Sequence, residues 1–513
     1  MGSGDREQAS DRRQLQGRDQ HSRRLRRRRH LLVPGQDPAD RDGLRRGGHR
    51  GQQRQGLHRS RLGRLPRPQL RTAEQVTGLT PGRPRTQAPY GRVGSLRLCL
   101  GRNARHRLLP FPAEGTLTAE PPGKDVGHDV RLKTTPEDFV VREAVDLHIR
   151  QKPARYRVYL LEKKGWNTAD AVAAIARARR LPPGRIQYGG KKDRHAHTFQ
   201  YVTIDHPADH SLSTPYYRLK AVGYATEPMA PGRVLANHFE VTVRELRPEE
   251  AARLVDGVRR VAAAGFPNYF DDQRFGSFDP RRGFIAEQMA QGRWEQALQI
   301  ALTHVYPGEK SRAKARKRRL LEAWGDWATC LDLAETAFER RCFALLAEQP
   351  GGFRAALATA RREEQEMWLS AWQAFLWNEV LRRLVAAAAG GDEPPAEAAG
   401  VAGPYRFARS TPELQQMVIP LPGRGMRFSD PRAGLILEDV LRERRLRPAQ
   451  LEAELLPGLW LRSSPREAWV MPRSVRVDPP QPDERYPGFE RVSLRFTLPR
   501  GAYATMLIKA AAH

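Results

Sequence analysis

The sequence is poor in the residues that build disulfide and metal frameworks. Only three cysteines occur, Cys99, Cys330 and Cys342. They form no CxxC pair and leave an odd count, which argues against a cysteine-built zinc site and suits a reducing cytoplasm. No apolar run approaches the roughly 18 residues of a membrane-spanning helix. No short apolar core follows the basic N-terminus, as a secretory signal requires. Lysine is absent before Lys124, and methionine between Met1 and Met229. Acidic side chains are scarce too: 58 Asp and Glu stand against 88 Lys and Arg, for a formal net charge of +30. Such an excess favours a polyanionic partner, nucleic acid first. The 513 residues allow two or three domains with their own cores.

The charge is unevenly placed. Residues 1–120 hold 27 Arg, no Lys and 10 acidic residues, a net of +17, which leaves +13 for residues 121–513. Runs such as RRLRRRRHLL have little helical or strand period, so this extension is expected to be disordered. One reading is an electrostatic tail that raises RNA affinity. The favoured reading is a GC-rich gene translated upstream of its true start, with the authentic start between Leu117 and Val126.

Order is expected from DVRLKTTPEDFVVREAVDL onward. Asp138–Val141 reads as a strand entered through a Thr-Thr-Pro-Glu turn, and Tyr156–Gly165 as a second strand. NTADAVAAIARARRLPPG reads as a helix capped by Asn167 or Thr168 and ended by Pro182-Pro183-Gly184. RIQY and HTFQYVTI are strands, so the Gly-Gly-Lys-Lys-Asp segment between them falls in a loop. RVLANHFEVTVREL is a strand and Pro248–Gly265 a helix. Residues from about 290 to 465 read as mostly helical; Trp368, Trp372, Phe375, Leu376 and Val380 form a core stripe, and GGDEPPAEAAG follows as a loop. Strand character returns in RVSLRFTLPRGAYATMLIKAA. The fold class is therefore α+β, with a second domain inserted into the first. The expected boundaries are 121–290 and 466–513 for the first domain and 291–465 for the insertion.

The segment YGGKKDRHAHTFQYVTI, Tyr188–Ile204, concentrates reactive side chains. As a phosphate loop it fails, because its glycines are adjacent, no Ser or Thr follows the lysine, and a strand comes next. A metal site on His195 and His197 lacks acidic or cysteine neighbours. The third reading is a lone aspartate, Asp193, among Lys191, Lys192 and Arg194, whose charges favour the ionised form. A carboxylate of that kind serves as nucleophile or base. On composition alone, a surface turn laced with weak ion pairs is the favoured reading.

GGKKDRHAHTFQ resembles the G-x-K-D-x-x-A-x-T-x-Q signature of the TruD family of tRNA pseudouridine synthases. LKTTPEDFVVRE, PNYFDDQRFGS and LPRGAYATMLIK resemble three further motifs of that family in chain order, with Ala502 where serine is usual. The likeness runs from about Val126 to Lys509. It implies a pseudouridine-synthase-type catalytic domain with a mixed, largely antiparallel sheet, and a mostly helical α/β insertion. It also implies isomerisation of uridine 13 in transfer RNA, the glycosidic bond moving from N1 to C5 without cofactor or metal. By the same resemblance Asp193 is the catalytic aspartate, attacking C1′ or C6, Lys133 approaches it, and Lys192 flanks it as an orienting or phosphate-holding group. Phe270 is the ring that packs on the flipped base, and Asn268 bonds the base or a neighbouring loop. Gln273 and Arg274 stiffen their motif or meet phosphate. The expected partner is transfer RNA, with no membrane and no obligatory protein partner, the protein acting as a cytoplasmic monomer. The rival reading is a non-catalytic RNA-binding protein of the same fold; intact Lys133, Asp193 and Phe270 argue against it. GEKSRAKARKRR, Gly308–Arg319, is either an RNA-facing helix carrying Lys314, Arg316 and Lys317 or a solvated one.

Overall fold

The computed structural model describes residues 96–99, 129–306, 309–390 and 395–513. Except for residues 96–99, the expected N-terminal extension lies outside them. The strands of the main sheet are β1 (Leu96–Cys99), β2 (Asp129–Leu132), β3 (Phe139–Val145), β4 (Tyr156–Lys164), β5 (Ile186–Tyr188), β6 (His197–Ile204), β7 (Leu212–Ser213), β8 (Tyr217–Ala225) and β9 (Val234–Leu246). Three later strands, Arg473–Val477, Gln481–Pro482 and Glu490–Pro499, complete it. The order runs β1-β2-β9-β3-β6-β4-β8-β7, with β5 beside β6 and Glu490–Pro499 against β9. Every pairing is antiparallel except β3 with β6. The fold is thus α+β with a mixed, largely antiparallel sheet.

The 13-residue β9 is the spine. It pairs with β3 through Val141↔Phe239 and Glu143↔Asn237, and with Glu490–Pro499 through Phe496↔Phe239 and Leu498↔Asn237. Side chains alternate across a strand, and the odd positions Phe239, Val241 and Val243 of β9 are buried while His238 and Glu240 are exposed. Phe239 stacks on Phe496 at 5.4 Å and meets Phe139 edge-on at 6.0 Å.

Two differences from the sequence reading bear on the site. Asp138 ends a 3-10 turn, Pro136–Asp138, and β3 begins only at Phe139. Its buried carboxylate accepts from the Thr135 N–H at 2.9 Å and from Arg244 Nε at 2.8 Å. Arg244 in turn bonds Asp483 at 2.9 Å, so the Thr-Thr-Pro-Glu-Asp turn is tied to both β9 and the C-terminal segment. The closing sequence LPRGAYATMLIK, read as strand, becomes a helix from Ala504 to Ala512, because the turn at Gly501 (φ 87°) lets the apolar positions Met506, Leu507 and Ile508 pack inward.

The helical block runs from Ile285 to Glu452. Its longest member, Arg362–Ala388, buries Trp368, Trp372, Phe375, Leu376 and Val380, and also Leu369, Trp377 and Leu381. It is a core helix on nearly every side. Part of the GGDEPPAEAAG run is strand: Ala396–Ala398 pairs with Tyr405–Phe407. Ser311–Glu322 is helical as read, but two of its three selected cations face protein. Lys317 Nζ donates to the His304 carbonyl at 2.7 Å and pairs with Glu309, and Arg316 pairs with Glu339 at 2.8 Å. Those charges are neutralised internally and are not available to phosphate.

The Pro248–Ala264 and Ala504–Ala512 helices pack together on the sheet. A Cβ at Gly257 would stand 1.6 Å from the Ala511 carbonyl oxygen, so only glycine permits this approach. In an open helix Gly→Ala stabilises by about 1 kcal/mol. Here Gly257→Ala is expected to destabilise by at least 1–2 kcal/mol (about the cost of overpacking), as a lowered midpoint in urea denaturation.

Candidate functional site

The loop between β5 and β6 carries Asp193 over the end of the sheet. Its entry depends on Gly189, where a Cβ would strike the side chains of Val234 and Met229. Lys192 N–H donates to Thr168 Oγ at 2.9 Å, Thr168 Oγ–H donates to Gln200 Oε1 at 2.8 Å, and Gln200 Nε2 returns to the Gly190 carbonyl at 3.2 Å. Thr168 therefore secures the loop, while Asn167 occupies the helix cap position and turns its side chain to Asp170. Beneath the loop, Lys163 is completely buried and donates to the carbonyl oxygens of Asp193 (3.0 Å) and Lys192 (3.4 Å).

Asp193 forms an ion pair with Lys133, whose ammonium also sits 4.4 Å from the centre of the Phe139 ring. Lys133 is buried and takes a left-handed backbone conformation, φ 59°, which costs a non-glycine residue of order 1 kcal/mol. The anchored turn at Asp138 holds it there. The second Asp193 oxygen accepts from the His195 N–H at 2.9 Å. Burial alone pushes the Asp193 carboxyl up, but the Lys133 ammonium and the His195 N–H outweigh it and hold the group below the usual carboxylate range. Burial brings the Lys163 ammonium down to about 8 against the partial support of Asp193.

Lys192 flanks the carboxylate without pairing to it. Its ammonium donates to Asn237 Oδ1 at 2.7 Å and forms an ion pair with Glu143 Oε1 at 2.8 Å, so it joins the loop to β9 and β3. Across the cleft, Phe266–Pro267 pairs with Trp469–Val470 and presents the PNYFDDQRFG motif. The Phe270 backbone is clamped by Asn378, which accepts from its N–H at 2.9 Å and donates to its carbonyl at 2.8 Å. The Arg466 guanidinium lies 4.0 Å from the Phe270 ring centre and donates to the Asn268 backbone oxygen (2.7 Å) and side-chain oxygen (2.8 Å). Asn268 Nδ2 donates to the Glu467 carbonyl at 2.9 Å. The neighbouring segment thus bonds both the Nδ2 and the Oδ1 of Asn268. Burial lowers Arg466 to about 10. Asp271 is fixed by Lys509 at 2.7 Å and Thr505 at 2.5 Å, which explains why the C-terminal motif belongs to the site.

Asp193, Lys133, Lys192, Phe270, Asn268, Gln273 and Arg274 all line one cleft of about 760 Å³. Gln273 and Arg274 are exposed at its rim. His195 and His197 do not converge: His197 pairs with Glu162 at 2.9 Å, and among the described residues no group of three His, Cys, Asp or Glu could hold a metal ion. The described thiols sit elsewhere; burial pushes Cys330 up to about 11 and Cys342 up to about 12. Lys163, Glu143 and Arg466 went unselected in the sequence. Lys163 occupies an inward position of the β4 alternation, and Glu143 ends the LKTTPEDFVVRE motif, so both carried a signal. Arg466, in SSPREAWV, carried none.

Comparison with known proteins identifies the family. The profile of the family described as tRNA pseudouridine synthase D (TruD) matches residues 123–397 and 408–510. The tRNA pseudouridine synthase D of Leptospira interrogans is 28% identical over 397 residues, covering 74% of this chain and 95% of its own. That of Aquifex aeolicus is 28% identical over 389 residues, covering 74% and 97%. The solved structure of a TruD candidate from Methanosarcina mazei superposes with a TM-score of 0.56 at 24% identity, over 74% of this chain and 93% of that one, a likeness of fold. With its two matched blocks spanning most of residues 123–510, the chain belongs to the tRNA pseudouridine synthase D family.

Proposed function

We propose that this tRNA pseudouridine synthase isomerises uridine 13 of transfer RNA through Asp193, with no cofactor. The observation that supports the reading is the Lys133–Asp193 ion pair lining the same cleft as the Phe270 ring. A target base leaving the RNA stack loses stacking energy, which an aromatic surface can restore. The ionised carboxylate attacks either the ribose C1′, displacing uracil N1, or uracil C6. On both routes the C1′–N1 bond breaks, the C1′–C5 bond forms, C5 loses its proton and N1 gains one. Lys133 keeps the nucleophile ionised without consuming it. Lys163, donating to the Asp193 and Lys192 carbonyls, holds the loop that aims it. Action as a monomer without a protein partner belongs to the same proposal. Buried free thiols at Cys330 and Cys342 suit the cytoplasm. The domain division at 290/291 and 465/466 remains part of this proposal; strands of the main sheet come from both flanking segments.

Three results are expected. Asp193→Asn abolishes tritium release from C5-labelled uridine in tRNA by more than about 10³-fold, while tRNA affinity stays within a few-fold; wild-type turnover in that variant removes Asp193 from the mechanism. At the exposed rim, Lys191→Ala and Arg500→Ala each reduce the salt slope of tRNA binding by about one, and unchanged slopes exclude them as phosphate contacts. Lys163 gives a pH signature. Its folded value of about 8 lies below the unfolded one, so the unfolded chain holds more protons between the two and stability rises with pH there. From pH 8 to 10.5, wild type should gain up to about 3 kcal/mol over Lys163→Met in urea titrations. A constant difference contradicts the assignment.

A further inference from the structure

The odd-numbered face of β9 runs along the cleft. Phe239 at its floor is buried, Asn237 is half-buried and holds Lys192, and Leu235 at the mouth is 58% exposed. All three line the cleft. Leu235 lies two residues before Asn237, where the β3–β9 register shifts between Ala236 and Val234 and leaves it as the extra residue of a bulge. Among the exposed large apolar side chains of the described residues, it alone lines this cleft. Its backbone is not free to withdraw: the Leu235 carbonyl accepts from the Arg500 N–H at 3.3 Å, and Ala236 is paired with Pro499 on one side and Ala144 on the other. The mouth around it is cationic, with Lys191, Arg274 and Arg500 lining the same cleft and exposed.

An exposed leucine on a strand paired at its neighbouring residues, in a cleft also lined by cations, leaves most of its side chain unpacked in the free protein. It would leave water on contact with a nucleic acid whose phosphates the cations engage. Removing one nucleotide from a stack leaves a gap with two apolar faces, and proteins that distort nucleic acids fill such gaps with apolar wedges. We propose that Leu235 is the wedge that enters the transfer RNA stack and occupies the place vacated by the target uridine, while that uridine passes along the Asn237–Phe239 face toward Asp193. Leu235 is a positioning residue, since it touches neighbours of the reacting nucleotide and not the reacting atoms. The inference rests on the proposed uridine chemistry at Asp193.

The test separates the two. In the Asp193→Asn background, where no turnover intervenes, 2-aminopurine is placed next to the target uridine of a tRNA transcript. Unstacking is read as fluorescence, and affinity as anisotropy. Adding Leu235→Ala should lower the fluorescence gain at saturation at least fivefold with less than a twofold change in affinity, and Leu235→Met should restore it. On the otherwise wild-type enzyme, Leu235→Ala should slow single-turnover pseudouridine formation in tRNA at least tenfold. It should alter the rate on a short unstructured RNA less than twofold. An undiminished fluorescence gain, or equal loss on both RNAs, overturns the wedge. Absence of pseudouridine with wild-type enzyme would instead strike the parent reading, while the fluorescence comparison would still decide the role of Leu235.

Discussion

The ion pair between Lys133 and Asp193 is the constraint around which the rest is arranged. A carboxylate in a partly closed cleft drifts toward its neutral form unless a cation meets it. A neutral carboxylic acid is a poor nucleophile. Supplying the cation requires an ammonium on a backbone turned into the left-handed region, which the chain does not adopt by preference. The Asp138–Arg244–Asp483 network offsets that cost by fixing the turn to β9 and to the C-terminal segment. The conformation of one lysine thus depends on residues from widely separated parts of the sequence.

The opposing wall follows a similar logic with different chemistry. Phe270 is held by its backbone, through the paired hydrogen bonds of Asn378, and by the guanidinium stacked on its ring. Arg466 makes its hydrogen bonds to oxygens of Asn268 and Gly501, and it carries positive charge next to the place where a nucleotide would bind. Asp271 and Lys509 close the base of this wall. One wall carries the proposed nucleophile and the other an aromatic surface, and neither uses a metal in the chemistry proposed.

Much of this was legible in the sequence where local rules govern. Strand alternation in RVLANHFEVTVREL and HTFQYVTI places β9 and β6, and the Gly-Gly-Lys-Lys-Asp segment falls in the loop between two strands as read. The grouping of the candidate site residues in one cleft was legible only through motif resemblance, since no local rule links Lys133 to Asp193 across sixty residues of chain. What escaped was set by tertiary contact. The destination of Asn268 depends on Arg466, nearly two hundred residues away. The internal pairing of Arg316 and Lys317 depends on Glu339 and Glu309, and only packing turns that basic helix face inward. LPRGAYATMLIK looked extended because its apolar density is high, and the break at Gly501 was not read as the start of a helix.

The most direct test of the central claim is a structure of the Asp193→Asn variant bound to its substrate tRNA. The account predicts the target uridine extruded from the RNA, its ring against Phe270, and its C1′ or C6 within ~3.5 Å of the residue 193 side chain, the reach of a near-attack geometry. A uridine still stacked in the RNA, or seated beyond reach of residue 193, would contradict it.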